Sequence, residues 1–152
     1  MNTPAKANAF FFFKLPAAWW CGVRVQSLSA TQCNTRVRLR WINQNPFKSM
    51  FWAVQGMAAE IATGILLLSK TRAQNLNVSS LVVANEAVFH KKAVGKITFV
   101  CSEGPEIDKL VDALQSEQTP QTIWLKAQGK DEANNLVAEF KFKWSLKRRT
   151  HG

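Results

Sequence analysis

In the stretch Asn45–Gly64, NPFKSMFWAVQGMAAEIATG, Glu60 is the single carboxylate among apolar and small residues. Apolar surroundings disfavour the charged form of such a group and raise its pKa. That suits it to act as a general base toward water or to attack a carbonyl carbon directly. The competing reading is a core carboxylate hydrogen-bonded to a neighbour such as Asn45, Gln55 or Thr63, with no chemistry. Other catalytic sets do not assemble. The two histidines are His90, in a strand pattern beside Lys91 and Lys92, and His151 in a basic tail, so neither a Ser-His-Asp nor a Cys-His arrangement is available. Cys21, Cys33 and Cys101 are odd in number and lack CxxC spacing, which argues against a zinc site and against a disulfide framework. No metal and no cofactor is expected, and the thiols read as buried groups in a reducing cytoplasm.

The elements that must position Glu60 follow from periodicity. CGVRVQSL alternates Val23 and Val25 with Arg24 and Gln26, and TRVRLRWI sets Val37, Leu39 and Trp41 against Arg36, Arg38 and Arg40. The two read as a hairpin joined by Ser-Ala-Thr-Gln. After the turn residues of NQNPFK, residues 49–69 form a helix whose only strongly polar side chains are Gln55 and Glu60. At about 1.5 Å per residue it is long enough to cross a bilayer core. A central Glu, however, costs about 2.5 kcal/mol or more in lipid, and Ala and Gly dilute the apolar total, so a buried core helix is the expectation, not a membrane span. Two strands follow, in VSSLVVANEAVFHKKA and GKITFVCS. GPEIDKLVDALQSEQ then spaces Ile107, Leu110, Val111 and Leu114 as an amphipathic helix. QTIWLKAQ and NLVAEFKFKWSLK close the chain as strands, the last with Leu136, Ala138, Phe140, Phe142 and Trp144 on one face.

A chain of 152 residues, 47% hydrophobic with six Trp and ten Phe, has enough apolar surface for one core and too little length for two. The reading is a single α+β domain over 1–152, an antiparallel sheet curled round one long apolar helix. Residues 1–14 form an amphipathic N-terminal segment capping the core, frayed over roughly the first eight residues. Lys14 and Pro16 interrupt its apolar run before it reaches signal-peptide length. Residues 147–152 form a basic tail in solvent. The formal net charge of +10 favours an anionic partner. Trp41, Phe140, Phe142 and Trp144 fall opposite the basic residues of their strands, which fits a core better than a base-stacking platform and disfavours nucleic acid.

This architecture, with LPAAWWCGVRVQSL, NQNPFKSMFWAVQGMAAEIATG, FHKKAVGKITFVC and LVAEFKFKW, resembles the hotdog fold of acyl-CoA thioesterases, in the branch known only as a domain of unknown function, DUF4442. The resemblance runs from about Leu15 onward. Thioesterases of this superfamily similar to the phenylacetate-pathway type carry His-Gly-Gly at the helix start and an acid nine residues after the His. Here the acid is Glu60, while Phe51, Trp52 and Ala53 stand where His-Gly-Gly would be.

The resemblance implies hydrolysis of an acyl-CoA or similar thioester, with Glu60 as base or nucleophile. Amides around Phe51, Trp52 and Ala53 at the helix start would serve the oxyanion. Ala53 and Glu60 stand roughly 10 Å apart along one helix, too far to act on one carbonyl. The site therefore needs two subunits, matching the family's active sites at a dimer interface, so a homodimer is expected, with pairing of dimers into a tetramer left open. On the small-residue stripe, Gly56 and Gly64 either pack closely on a neighbour or leave room for an acyl chain. Asn43 and Asn45 either orient a water or a thioester oxygen or simply make turns. Lys91, Lys92, Lys96 and the Arg row are candidates for coenzyme A phosphates. Two readings stay open: a thioesterase, favoured by Glu60, and a non-catalytic hotdog module binding an acyl or aromatic ligand or a partner protein, favoured by the missing His-Gly-Gly.

Overall fold

The computed structural model describes residues 3–116 and 119–149. Six strands form one antiparallel sheet in the order β1-β2-β4-β5-β6-β3: β1 Arg24–Leu28, β2 Cys33–Arg38, β3 Val78–Phe89, β4 Lys96–Cys101, β5 Gln121–Lys130 and β6 Leu136–Arg148. The sheet wraps the long helix α3, Trp52–Ala73. This is the arrangement that the hotdog resemblance implies.

The helix can sit close to the sheet because its inner face is small. Ala58, Ala59 and Ala62 are fully buried, and the Thr35 hydroxyl of β2 donates to the Ala58 carbonyl at 2.7 Å. From β6, Phe140, Phe142 and Trp144 project onto it, as the alternation predicts. A Cβ at Gly64 would lie 3.2 Å from the Trp144 ring and one at Gly56 would lie 3.6 Å from Phe140, so both glycines sit directly against sheet aromatics. Although α3 is long and apolar enough to cross a bilayer, the fold spends it as a core element.

The helix boundaries differ from the expected 49–69, for local reasons. Asn45 Oδ1 accepts from the Phe47 and Ser49 amides, Met50 N–H donates to Ala93 O and Phe51 N–H to Asn43 O, so residues 49–51 are held out of the helix. At the other end Lys70 and Arg72 continue α3 where their charge complements the carbonyl end of the helix. Asn75 then adopts φ 54°, and the Asn75 and Leu76 amides cap Arg72 O and Thr71 O.

Three other departures are informative. The alternation predicts Trp41 inward, but β2 ends at Arg38 and Trp41–Asn43 is a 3-10 turn with Trp41 84% exposed. The cause is Asn43, whose side chain accepts from the Arg40 amide and donates to Cys21 O and Arg38 O. The N-terminal segment is ordered well before residue 8. It forms α1, Pro4–Lys14, which buries Ala7 and Phe11, and α2, Pro16–Trp20. Asn8 docks α1 by exchanging two 2.9 Å hydrogen bonds with the Val25 backbone of β1. The expected tail begins late, because Lys147 and Arg148 pair with Ser79 and Val78 as the last residues of β6, and 150–152 lie outside the described residues.

The remaining helix, α4, Gly104–Ser116, buries Ile107, Leu110, Val111 and Leu114 as its spacing predicts. Its first residue must be glycine, since a Cβ there would meet Ala30 O at 2.4 Å and Thr31 Cα at 2.6 Å in the β1–β2 turn. Lys70 ties α4 to α3 through Asp108 at 2.6 Å.

Candidate functional site

Glu60 lies in the middle of α3, on its exposed side. Its carboxylate has no hydrogen-bond partner among the described residues, and each neighbour that a core carboxylate would have used is committed elsewhere. Asn45 bonds Ser49 and Met50 O, and Gln55 donates to Met50 O at 3.3 Å. Thr63 donates to the Glu60 backbone carbonyl and accepts from Trp144 Nε1 at 3.1 Å. The picture of a satisfied core carboxylate is thereby overturned. Solvent reaches the group, yet enough apolar protein surrounds it that desolvation holds its pKa above the ordinary glutamate value.

The carboxylate opens on a pocket of about 450 Å³ between α1 and α3, within the range of small-molecule sites. Phe10, Phe11 and Leu15 line it from the N-terminal segment, Ile61, Gly64, Ile65 and Leu68 from α3, and Ser80 and Trp144 from β3 and β6. The Trp144–Thr63–Glu60 chain of hydrogen bonds fixes the turn of helix that presents the carboxylate. A lone, partnerless carboxylate above an apolar pocket can take a proton from water beside a bound acyl group.

A second pocket, of about 300 Å³, lies at the start of α3 and is lined by Asn45, Ser49, Trp52, Gln55, Phe89, His90, Lys91 and Lys92 among others. The fold thus gathers four of the expected site residues, Asn45, Trp52, Lys91 and Lys92, about one place. It puts Glu60 and Gly64 about another. Phe51 N–H is already spent on Asn43 O, so of the three helix-start amides only those of Trp52 and Ala53 lack an acceptor among the described residues. Lys91 is paired with Asp131 at 2.7 Å and holds that carboxyl down at about 2, while Lys92 donates to Phe47 O at 3.1 Å. His90 Nε2 sits 3.0 Å from Glu139.

Lys96 is not part of either pocket. It joins Arg24, Arg36, Arg38 and Arg40 in a basic cleft on the outer face of the sheet, away from α3. There Arg24 stacks 3.4 Å above the Trp19 ring, and burial together with Arg40 and Arg36 lowers its pKa. Cys33 and Cys101 face each other across β2 and β4 as free, buried thiols whose pKa burial pushes up to about 12.

Asn43 and Asn45 are turn residues, with their polar atoms consumed by the backbone and Ser49. Asn43→Ala is expected to destabilise the fold by about 2 kcal/mol, because it strands buried partners at both ends of a turn. A urea titration measures this, and an unchanged midpoint would contradict it. The pocket wall from α1, the lining by Ser80 and the Trp144–Thr63 hydrogen bond are not legible from periodicity and spacing. The available signal was the Trp144 indole, which needs a polar partner when buried and finds it in Thr63 on the small-residue helix.

The family model described as domain of unknown function DUF4442 matches residues 5–146. No curated protein matches the sequence. Among solved structures, a Pseudomonas aeruginosa protein of unknown function, named a probable thioesterase, is similar at 21% identity and TM-score 0.82, covering 98% of this chain and 99% of that one. A Chlorobaculum tepidum protein of unknown function is 18% identical with TM-score 0.83, over 97% and 98% of the two chains. A Haemophilus influenzae thioesterase is 12% identical with TM-score 0.72, over 100% and 96%. These likenesses establish a shared hotdog fold. With the family model spanning nearly its whole length, the chain belongs to the DUF4442 family.

Proposed function

We propose that the protein is a cytoplasmic homodimeric thioesterase that hydrolyses an acyl-CoA or similar thioester, with Glu60 as base or nucleophile at the dimer interface. The observation that carries this is a carboxylate without a hydrogen-bond partner among the described residues, its pKa raised, beside an apolar pocket of about 450 Å³. In the general-base form Glu60 takes a proton from water, and the water oxygen bonds to the thioester carbon. The oxyanion is held by the Trp52 and Ala53 amides of a second copy. Collapse breaks the C–S bond, and the thiolate leaves with the proton from Glu60. Lys92 and Lys91, at the second pocket, would meet the coenzyme A phosphates. Lys96 would do so only through the outer cleft.

Support for a second copy comes from β3. Among the described residues this strand of 12 residues pairs with β6 alone, and its other edge, at the end of the sheet, is flanked by exposed Leu81, Val83 and Val88. Free thiols agree with a reducing compartment. A non-catalytic ligand-binding role is favoured by one observation, the aromatic bulk of Phe51 and Trp52 at the helix start.

Thiol release from short, long and aromatic acyl-CoAs, with sedimentation at micromolar protein, tests the proposal. Turnover of at least one ester by a dimer is expected. No turnover of any ester, or full turnover by a monomer, would remove it.

A further inference from the structure

The outer cleft gathers positive charge that the fold does not balance. Arg24, Arg36, Arg38, Arg40 and Lys96 line it, and among the described residues its one ion pair is Arg38 with Glu132 at 3.0 Å. The crowding is built into the register, since Arg24 stands opposite Arg36 across β1 and β2, and Arg38 opposite Lys96 across β2 and β4. Like charges placed so destabilise a sheet unless something neutralises them. The groups are also held in place. Arg24 donates to Trp19 O and Val23 O, and the Arg40 guanidinium lies where a Cβ at Gly22 would be. Farther along the same face of the sheet, Lys126 stands opposite Lys141.

Exposed apolar groups adjoin this charge. Arg24 lies over the Trp19 ring, which meets Phe12 edge-on at 5.3 Å, and Phe12 meets the exposed Phe13 at 4.9 Å. Asn43 ties the turn Trp41–Asn43 to Cys21 O and Arg38 O, which brings the exposed Trp41 and Ile42 to the cleft, near the exposed Trp20.

We infer that this face rests on the surface of a bilayer containing anionic lipid, its arginines meeting headgroup phosphates while Phe13, Trp20 and Trp41 enter the interfacial layer. Guanidinium groups pair with phosphate, and tryptophan settles at the level of the headgroups. A soluble phosphate compound would account for the arginines and leave the aromatic groups in water. Single-stranded nucleic acid needs open ring faces for stacking. Here Trp19 is covered by Arg24, the Phe12 ring meets Phe13 and Trp19 edge to face, and Ile42 has no ring to offer. A second copy of the chain, related by a two-fold axis, would bring the same positive cleft against itself. The inference goes beyond the thioester reading, and its test needs no turnover.

That test is flotation with vesicles of phosphatidylcholine alone and with about one third phosphatidylglycerol, at about 0.1 M and about 0.5 M salt. Wild type is expected to float with the anionic vesicles at the lower salt, about tenfold less with the neutral ones, and to be mostly released at the higher salt, as attraction to anionic headgroups implies. Arg36→Gln combined with Arg40→Gln should weaken retention about tenfold. Trp20→Ser combined with Trp41→Ser should weaken it several-fold and reduce the quenching of tryptophan fluorescence by brominated lipid chains. All four side chains are exposed, so both variants are expected to melt with wild type. Failure to float, equal retention on the two kinds of vesicle, or retention untouched by either pair of substitutions overturns the inference. Tighter binding of single-stranded RNA than of anionic vesicles overturns it in favour of nucleic acid. A changed sedimentation coefficient in the tryptophan variant overturns it in favour of a second copy.

Discussion

Glu60→Gln is expected to lower thiol release by about a hundredfold or more, the scale at which a positioned acid or base contributes, with the dimer intact. The amide keeps the shape of the side chain and loses the ability to take a proton. Because desolvation raises the Glu60 pKa, wild-type turnover should rise with pH through an apparent pKa above that of an ordinary glutamate. Stability should run the other way. A carboxyl that binds its proton more tightly in the folded state contributes stability that is complete below its unfolded pKa and is lost as pH rises through its folded pKa. At neutral pH and above, wild type therefore carries an ionised group the fold does not welcome, and Glu60→Gln should melt no lower than wild type there. At pH 4 the difference should close. Melting curves across that range, read beside the kinetics, separate a reactive carboxylate from a structural one. Wild-type turnover in the variant, or a lowered melting point at pH 8, would contradict the assignment.

Phe140→Ala is expected to cost about 3–5 kcal/mol, as removal of a buried aromatic ring does. That is a large share of the 5–15 kcal/mol that holds a domain of this size together. The ring is 2% exposed and lies at the meeting point of three others, with Phe89 and Phe99 edge-on at 5.6 and 5.9 Å and Phe142 stacked at 6.1 Å. Above it sits Gly56, with no side chain to collapse into the space. Phe99 is packed directly on the Gly129 backbone, on the other side of the cluster. The cavity should stay open, and urea should unfold the variant at a much lower concentration. A shift of the midpoint worth less than about 1 kcal/mol would mean that the aromatic cluster repacks freely.

These expectations draw unequally on sequence and structure. Alternation in TRVRLR and LVAEFKFKW is local chemistry, so the strands and their inward faces are legible before any coordinates. The α3 helix is legible as a long apolar run broken only by Gln55 and Glu60, while its ends depend on Asn45 and Asn75, whose turns are recognised only with their partners in place. Thr3-Pro4 also marks a helix start, with Thr3 Oγ1 accepting from Lys6 N–H. The Phe run after it masks the pattern, since apolar residues fall on every side of α1. Glu60 stands out as one carboxylate in an apolar run. Its pocket does not, because Phe10 and Phe11 come from a helix some 50 residues upstream and Ser80 and Trp144 from two further strands. The sorting of the lysines is equally non-local. Lys92 and Lys96 are four residues apart, yet the chain places them on different faces of the molecule.

The position of β3 at the end of the sheet also governs the birth of the protein. As the chain grows, β3 leaves the ribosome immediately after α3, but its one partner strand among the described residues, β6, is about sixty residues away. Through that interval an apolar helix and a long unpaired strand are both on offer to other molecules. Closing the sheet requires contacts of large sequence separation, which slow the search. The stretch of synthesis between residues 78 and 148 is therefore the period in which a nascent chain depends most on being shielded from its neighbours.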